Sequence, residues 1–394
     1  AISHPENGKI IDLNDDIRKR TGIEDACAKI YTYNGYGDIA MLRRIIEVEK
    51  PDAILHFTDP HYWQWLYDNE HEIRQHTPIL YYHIWDDLPD PQYNRDVFES
   101  CDWLGCISKQ TYGIVHRVGK RTDKVTFKPL EDWQITYVPH GINPDVFKPI
   151  DTVSDDVKNY IHGDKEYDFV LFYNSRNIRR KQPSDVIYSF RLFCDKLSKE
   201  KAEKCLLLMH TNPMDENGTD LVAVKEAVCA NYDVKFTDLK LEQDKLNHFY
   251  NAVDCTINIA NNEGFGLGTT ESLMSGTPII VNVTGGLQDQ LGIVTDDDKP
   301  VEFNLEFGTN TTGRYKKQGV WAKPVWTKVQ NLQGSPPTPY IMDDLVSYTD
   351  IADAIAYWYL HNSEKREQYG MEGRKWAMNE GGINSKNMCD QFIK

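Results

Sequence analysis

Short apolar runs rich in β-branched and aromatic residues alternate with stretches of helical period along most of the chain. In the first part, DAILHF (52–57), PILYYHI (78–84), DWLGCI (102–107) and QITYV (134–138) read as strands, with helical periods over 38–48, 61–75 and 108–118 between them. After FKPID (147–151) the alternation restarts. DFVLFY (168–173), CLLLMH (205–210), VKF (234–236), CTINIA (255–260) and PIIVN (278–282) read as strands, separated by helical periods over 183–198, 219–230, 242–252 and 267–275. Parallel strands need long crossovers, and the crossover helices must cover both faces of the sheet. The pattern therefore predicts an α/β chain of two doubly wound, Rossmann-like domains, joined near Pro139–Asp151, with a ligand cleft between them.

The pattern fails in two places. Residues 296–340 are rich in Asp, Gly, Thr and Pro, include RYKKQG and QGSPPTPY, and read as a long functional loop. Helical periods return at 347–360, 363–379 and 384–393. At the other end, AISHPENGKIIDLNDD is too polar for the central strand that opens a doubly wound sheet; either residues preceding Ala1 supply it, the favoured expectation, or the first sheet is built unusually. The expected boundaries are 1–148 for the first domain, 149–365 for the second, and 366–394 for helices that cross back to the first.

Composition narrows this picture. A chain of 394 residues with 40% hydrophobic content is globular and too long for one compact domain. The net charge of −16 argues against broad, charge-driven binding to nucleic acid or anionic membrane, though a local basic pocket remains open, RNIRRK (176–181) being the clearest. No apolar run reaches the ~20 residues that a bilayer requires, and no secretory signal is visible. The cysteines at 27, 101, 106, 194, 205, 229, 255 and 389 show no metal spacing and are expected to be reduced core thiols of a cytoplasmic protein. The sequons at Asn217, Asn282 and Asn310 carry little weight in that setting.

The chemistry gathers in NNEGFGLGTTESLMSGTPIIV (261–281), where a strand, a glycine-rich turn and a helix follow one another and Gly276 ends the helix. Glycines let backbone amides approach a ligand, and a helix start offers unpaired N–H donors suited to phosphate. Glu263 and Glu271 stand at its two ends. Carboxylates suit sugar hydroxyls rather than phosphate, so acid at both ends describes a ligand with phosphates in the middle and a sugar on either side, a nucleotide sugar. The competing reading has Glu271 complementing the helix dipole and Glu263 merely solvated. In FYNSRNIRRKQ (172–182), Arg176 and Lys181 follow a strand on one loop and could neutralise a diphosphate leaving group. The alternative is a solvated basic turn, to which Arg179 and Arg180 are assigned unless they reach for an acceptor.

EGFGLGTTE resembles the E-x7-E element of retaining glycosyltransferases of GT-B fold, glycosyltransferase family 4 (glycosyl transferases group 1). SRNIRRK is similar to that family's Arg-x4-Lys phosphate pair, and YVPHGINPDVF (137–147) to its interdomain segment; SGTPIIVNVTGG carries the likeness to Gly286, strongest over 134–290. The resemblance implies that Glu271 binds the nucleotide ribose and that Glu263 contacts hydroxyls of the transferred sugar. It places the backbone of Gly264, Phe265 and Gly266 along that sugar, the amides of Leu267 and Gly268 at the diphosphate, and Arg176 and Lys181 on the phosphates. His83, at the end of the strand in LYYHIWDD, would stand beside the reacting sugar; the other reading is a hydrogen-bonded core histidine. The activity implied is retaining, metal-independent transfer, hexosyltransferase-like, from a nucleotide-diphosphate sugar to an acceptor hydroxyl, with 1–148 as the acceptor-side domain, 149–365 as the nucleotide-sugar-binding domain and no cofactor beyond the donor.

The chain departs from the family pattern. Its first glycine-rich loop cannot be found, and MHTNPMDENG (209–218) replaces a GxGP-like turn, leaving backbone near Leu239 to meet the base. DDD (296–298) and WDDLPD (85–90) read as acidic surface loops rather than metal ligands, and HYWQWLY (61–67) as a packed amphipathic helix rather than a stacking platform. The acceptor is a glycan or another hydroxyl; a nucleic-acid acceptor is open but not indicated by the charge. Two rivals stand beside glycosyl transfer: a nucleotide-sugar epimerase, and a binding protein that keeps the pocket without turnover.

Overall fold

The computed structural model describes residues 8–121, 129–163, 165–237, 240–301, 304–305, 315 and 317–394. Two parallel sheets dominate. The first is four-stranded and holds β3 (Ile54–His56), β4 (Ile79–His83), β5 (Trp103–Cys106) and β6 (Ile135–Tyr137) in sequential order. It is preceded by a small antiparallel pair, β1 (Ile10–Asp12) with β2 (Lys29–Tyr31). The second sheet is six-stranded, from β7 (Phe169–Asn174), β8 (Cys205–His210), β9 (Asp233–Thr237), β10 (Cys255–Asn258), β11 (Ile279–Asn282) and β12 (Ala322–Val325), in the order β12-β11-β10-β7-β8-β9. An antiparallel hairpin follows, β13 (Val329–Ser335) and β14 (Thr338–Leu345).

The second sheet is doubly wound: the chain builds outward from β7 through β8 to β9, then returns to β10 on the other side. The switch point lies between β7 and β10, where the loops leaving the two strands diverge and open a crevice. The first sheet, among the described residues, winds in one direction only, which differs from the doubly wound expectation. The polar opening forms the short β1–β2 pair instead of a central strand, and β3 is the sheet edge, with Leu55 and Phe57 about half exposed. The apolar runs earn their burial: in β7 every residue from Phe169 to Tyr173 is at most 2% exposed, as strands covered on both faces require.

Several expected elements change shape. The helical period over 61–75 is broken into a 3-10 turn at Pro60–Trp63 and two single-turn helices, Gln64–Tyr67 and Glu70–Ile73. Asn69 turns its side-chain amide back onto the Trp65 carbonyl at 2.8 Å, at the break between the last two. Residues 296–340 are not an unstructured loop throughout: β12 extends the second sheet beside β11 and the hairpin begins at Val329. The hairpin reaches the first domain, where Tyr340 accepts from the Gln92 amide (3.0 Å) and its carbonyl accepts from the Tyr93 hydroxyl (3.0 Å). The last helix, Ser385–Ile393, lays Phe392 against Tyr82 and Trp103 of the first sheet, with ring centroids 5.0 and 5.8 Å apart. The eight cysteines are free thiols, but Cys27 and Cys389 are exposed rather than in the core. The Asn282 sequon is fully buried, donating to the Ala260 and Asp344 carbonyls, while Asn217 is exposed; Asn310 and Leu239 lie outside the described residues. Among the described residues no helix is long and apolar enough to cross a membrane.

Candidate active site

The site follows from the switch point. After β7 the chain enters the Ser175–Gln182 loop, which Asn177 anchors: its fully buried carboxamide donates to the carbonyls of Asn212 (3.2 Å), Pro213 (3.3 Å) and Thr219 (2.7 Å). With the loop pinned there, its cations point in different directions. Arg176 faces outward, its side chain 57% exposed, and pairs with Asp215 at 2.8 and 3.0 Å. Lys181 faces inward and donates to the Glu263 carboxylate, both side chains nearly buried. Arg180 clamps the neighbouring loop: Nη1 donates to the Asn262 carbonyl at 2.7 Å, and the Arg180 carbonyl accepts from the Asn261 amide at 2.8 Å.

After β10 the chain enters the glycine-rich turn. Its glycines answer to close packing at two positions in particular. A methyl group at Gly264 would stand 2.7 Å from the Ile84 carbonyl oxygen of the first domain. Gly266 takes φ +93°, a left-handed conformation that favours glycine, and starts the Leu267–Met274 helix. The Gln290 carboxamide holds this turn, donating to the carbonyls of Phe265 (2.6 Å) and Gly266 (3.0 Å). One turn into the helix, Glu271 accepts from the Tyr250 hydroxyl at 2.8 Å, and that hydroxyl accepts from the Asn174 amide at 2.7 Å. Gly268 lies over the same two partners; a methyl group there would be 3.0 Å from the Asn174 carbonyl oxygen. Lys181, Glu263, the 264–268 turn and Glu271 thus form one strip along the ends of β7 and β10.

Electrostatics separate the two glutamates. Burial pushes the Glu263 carboxyl up, but the Lys181 ammonium and the Arg180 guanidinium more than offset it, and the group is held below its ordinary value. Burial pulls the Lys181 ammonium down, with Glu263 opposing. Glu271 has no cation to offset burial and is pushed up, relieved only by Tyr250.

A cavity of about 350 Å³ opens where the two sheets' carboxyl ends face each other. Its second-domain wall carries Arg180, Glu263 and the turn from Gly264 to Leu267; its first-domain wall carries residues that follow β3, β4, β5 and β6, and Thr338 and Ile341 of the hairpin complete it. His83 is not among them. It is fully buried, packed edge-on against Phe98 (4.8 Å) and against Tyr81 (4.8 Å), and burial lowers its pKa to about 3. Its Nε2 finds no hydrogen-bond partner among the described residues. His140 reaches the cavity instead, stacked on Phe57 and edge-on to Phe265.

Four further residues that the sequence did not point to contribute. Arg180, assigned to a solvated turn or to an acceptor, lines the cavity and faces Asp86 across the cleft at 3.4 Å. Asp86 and Asp87, read as part of an acidic surface loop, form the first-domain wall; Asp296–Asp298 do lie at the surface beside Lys299 and Lys317. His61 of HYWQWLY also lines the cavity, whereas Leu66 and Tyr67 pack into the core. The available signal was position: Asp86, Asp87 and His140 all follow parallel strands, where ligands gather. Among the described residues, no three His, Cys, Asp or Glu side chains form a group that could hold a metal ion.

No protein-family model matches the chain, and no curated protein matches its sequence. Solved structures do match in shape. Sucrose-phosphate synthase from Thermosynechococcus elongatus superposes with a TM-score of 0.64 at 15% identity, covering 100% of this chain and 86% of that one. HepE from Anabaena, in complex with UDP and glucose, gives 0.63 at 12%, covering 96% and 87%. A glycosyltransferase from Rickettsia africae gives 0.62 at 12%, covering 95% and 85%. The fold is GT-B. In this GT-B chain the cleft lies between the carboxyl ends of the two sheets, and the Lys181–Glu263 pair stands on its second-domain side.

Proposed function

We propose that the protein is a retaining, metal-independent glycosyltransferase, similar to family 4, that moves a hexose from a nucleotide-diphosphate sugar to an acceptor hydroxyl. The observation that carries this reading is the meeting of Lys181, Glu263 and the Gly264–Gly268 turn at the β7–β10 switch point, facing the interdomain cavity. The shape neighbours support it: one holds UDP and glucose, and others are named as glycosyltransferase and sucrose-phosphate synthase. The buried free thiols support a reducing compartment, the cytoplasm.

In this reading the diphosphate lies over the start of the 267–274 helix, where the Leu267 and Gly268 amides and the Lys181 ammonium meet its charge. Glu271 takes the ribose hydroxyls and Glu263 those of the transferred sugar. Arg176 joins the phosphates by exchanging Asp215 for them, an exchange its exposure permits. The acceptor oxygen bonds to the sugar's anomeric carbon on the face the leaving group vacates, the bond from that carbon to the phosphate oxygen breaks, and the acceptor's proton passes to that oxygen. The protein's part is positioning and charge stabilisation of the departing diphosphate, so neither a protein nucleophile nor a metal is called for.

The test is acceptor-dependent release of nucleoside diphosphate from UDP-, GDP- and ADP-sugars, with product anomers assigned by NMR. Retained configuration and loss of release in Lys181→Ala are expected. Release without any acceptor, or an inverted product, would overturn the assignment.

A further inference from the structure

The first-domain wall of the cavity is a constructed surface. The chain from Trp85 to Asp87 is fixed from behind by the helix over Lys109–Gly119: the Gln110 carboxamide donates to the Asp86 carbonyl (2.8 Å) and the Thr111 hydroxyl to the Trp85 carbonyl (2.8 Å). The Trp85 indole N–H closes the turn onto the Asp87 carbonyl at 2.9 Å. This leaves the two carboxyls on the cavity wall with Asp59 beside them. Asp87 is only 9% exposed, and its Oδ1 has no hydrogen-bond partner among the described residues. A buried carboxyl oxygen without a partner is costly unless something arrives to satisfy it.

Charge decides what can arrive. Four carboxyls line the cavity, Asp59, Asp86, Asp87 and Glu263, against one guanidinium, Arg180, which already serves Asp86 and the Asn262 carbonyl. Lys181 is occupied by Glu263, and Arg179 turns away to Asp343 at 3.2 Å. A phosphate entering this wall would meet the Asp59 and Asp86 carboxylates at close range. An aromatic floor adjoins the acids: Phe57, 51% exposed, stacks on His140 with ring planes 14° apart. Burial and the neighbouring Asp86 push the Asp87 carboxyl up to about 9, which keeps it protonated near neutrality. A protonated carboxyl both donates and accepts, as sugar hydroxyls do.

We propose that this wall is an acceptor subsite for an uncharged carbohydrate, whose hydroxyls Asp86 and Asp87 hold while Phe57 and His140 lie against a ring face. The inference rests on the glycosyl-transfer reading and narrows its acceptor to neutral sugars, setting aside sugar phosphates and nucleic acid.

The experiment is isothermal titration of the full chain with glucose, maltose, sucrose and N-acetylglucosamine, and with glucose 6-phosphate and fructose 6-phosphate, each with and without saturating UDP, GDP or ADP. At least one neutral sugar should bind about tenfold or more tighter than either phosphate ester. Asp87→Ala should weaken that binding by about tenfold, Asp87→Asn by much less, because the amide still donates and accepts. Joint Asp86→Asn and Asp87→Asn exchange should narrow the gap between neutral and phosphorylated sugars. Tighter or equal binding of the phosphate esters overturns the inference, as does binding of neither set while a nucleotide binds. Neutral-sugar binding with no nucleotide response leaves the subsite standing and removes the donor reading instead.

Discussion

Lys181 and Glu263, 82 positions apart in sequence, form a nearly buried ion pair that ties the loop after β7 to the loop after β10. Each is the other's compensation. The pair satisfies both charges; in the proposed reading the ammonium turns to phosphate and the carboxylate to a sugar hydroxyl when the donor binds. Removing one partner strands the other. Lys181→Ala is therefore expected to lose on the order of 3–5 kcal/mol of stability, along with tenfold or more in kcat/KM. The check is urea unfolding of Lys181→Ala beside the double variant Lys181→Met, Glu263→Gln, which should recover most of the stability and none of the turnover.

Arg176 stands in the opposite situation. Its pair with Asp215 is exposed on the arginine side, and Asp215 keeps the Asn217 amide as a donor when the guanidinium is removed, so Arg176→Ala should shift the melting temperature little. If Arg176 serves the diphosphate as proposed, the same change should lower kcat/KM about tenfold. Melting curves and steady-state kinetics on the one variant separate the two effects; a folded variant with unchanged kcat/KM would free Arg176 of any phosphate role.

The glycine at 264 sets how near the two domains come. A methyl group there would meet the Ile84 carbonyl oxygen at 2.7 Å, and a backbone atom has little room to yield. Gly264→Ala should reduce transfer about tenfold or more, the loss expected when reacting groups are displaced by a fraction of an ångström to an ångström. Nucleotide affinity, which the proposed reading assigns to the second domain, should change far less. Thermal shift with nucleotide and the transfer assay together read this out.

His83 and His56 give the first domain a pH signature. Burial lowers their pKa values to about 3 and about 4, while the unfolded chain's histidines titrate near 6.5. Between about pH 6.5 and 4 the unfolded state binds more protons, so stability rises with pH across that window and is lost on acidification. Each histidine contributes a slope of up to about 1.4 kcal/mol per pH unit. His83→Gln should flatten the dependence of melting temperature on pH between 4 and 6.5, with kcat changed little; a fall in kcat with an unaltered pH slope would return His83 to the reacting sugar.

Much of this molecule could be read from its residues, and the rest has physical reasons for staying hidden. Strands such as Phe169–Asn174 and Cys205–His210 are buried on both faces, and a continuous apolar run marks them directly. The β13–β14 hairpin was illegible because its Pro- and Gly-bearing strands invert the usual pattern: Val329 and Leu332 are 57% and 62% exposed, while Asp343 and Asp344 are buried. The turn at 261–271 was legible because glycine, acid and helix start coincide in a short span. Its first-domain counterpart was not, since Asp86, Asp87 and His140 lie on separate loops that only the parallel order of β4, β5 and β6 brings together. His83 was displaced from its expected role by one register position: the strand points it into the core and hands the cavity to Ile84.

In the proposed reading one nucleotide sugar is held jointly by Lys181 and Glu271. The most direct measurement is the thermal shift produced by nucleoside diphosphates on the unaltered chain, on Lys181→Met and on Glu271→Gln. A ligand at 100 times its Kd adds about 2.7 kcal/mol to the unaltered protein, and the account predicts that both substitutions sharply reduce that shift for the same nucleotide. A nucleotide that stabilises all three proteins equally would contradict it.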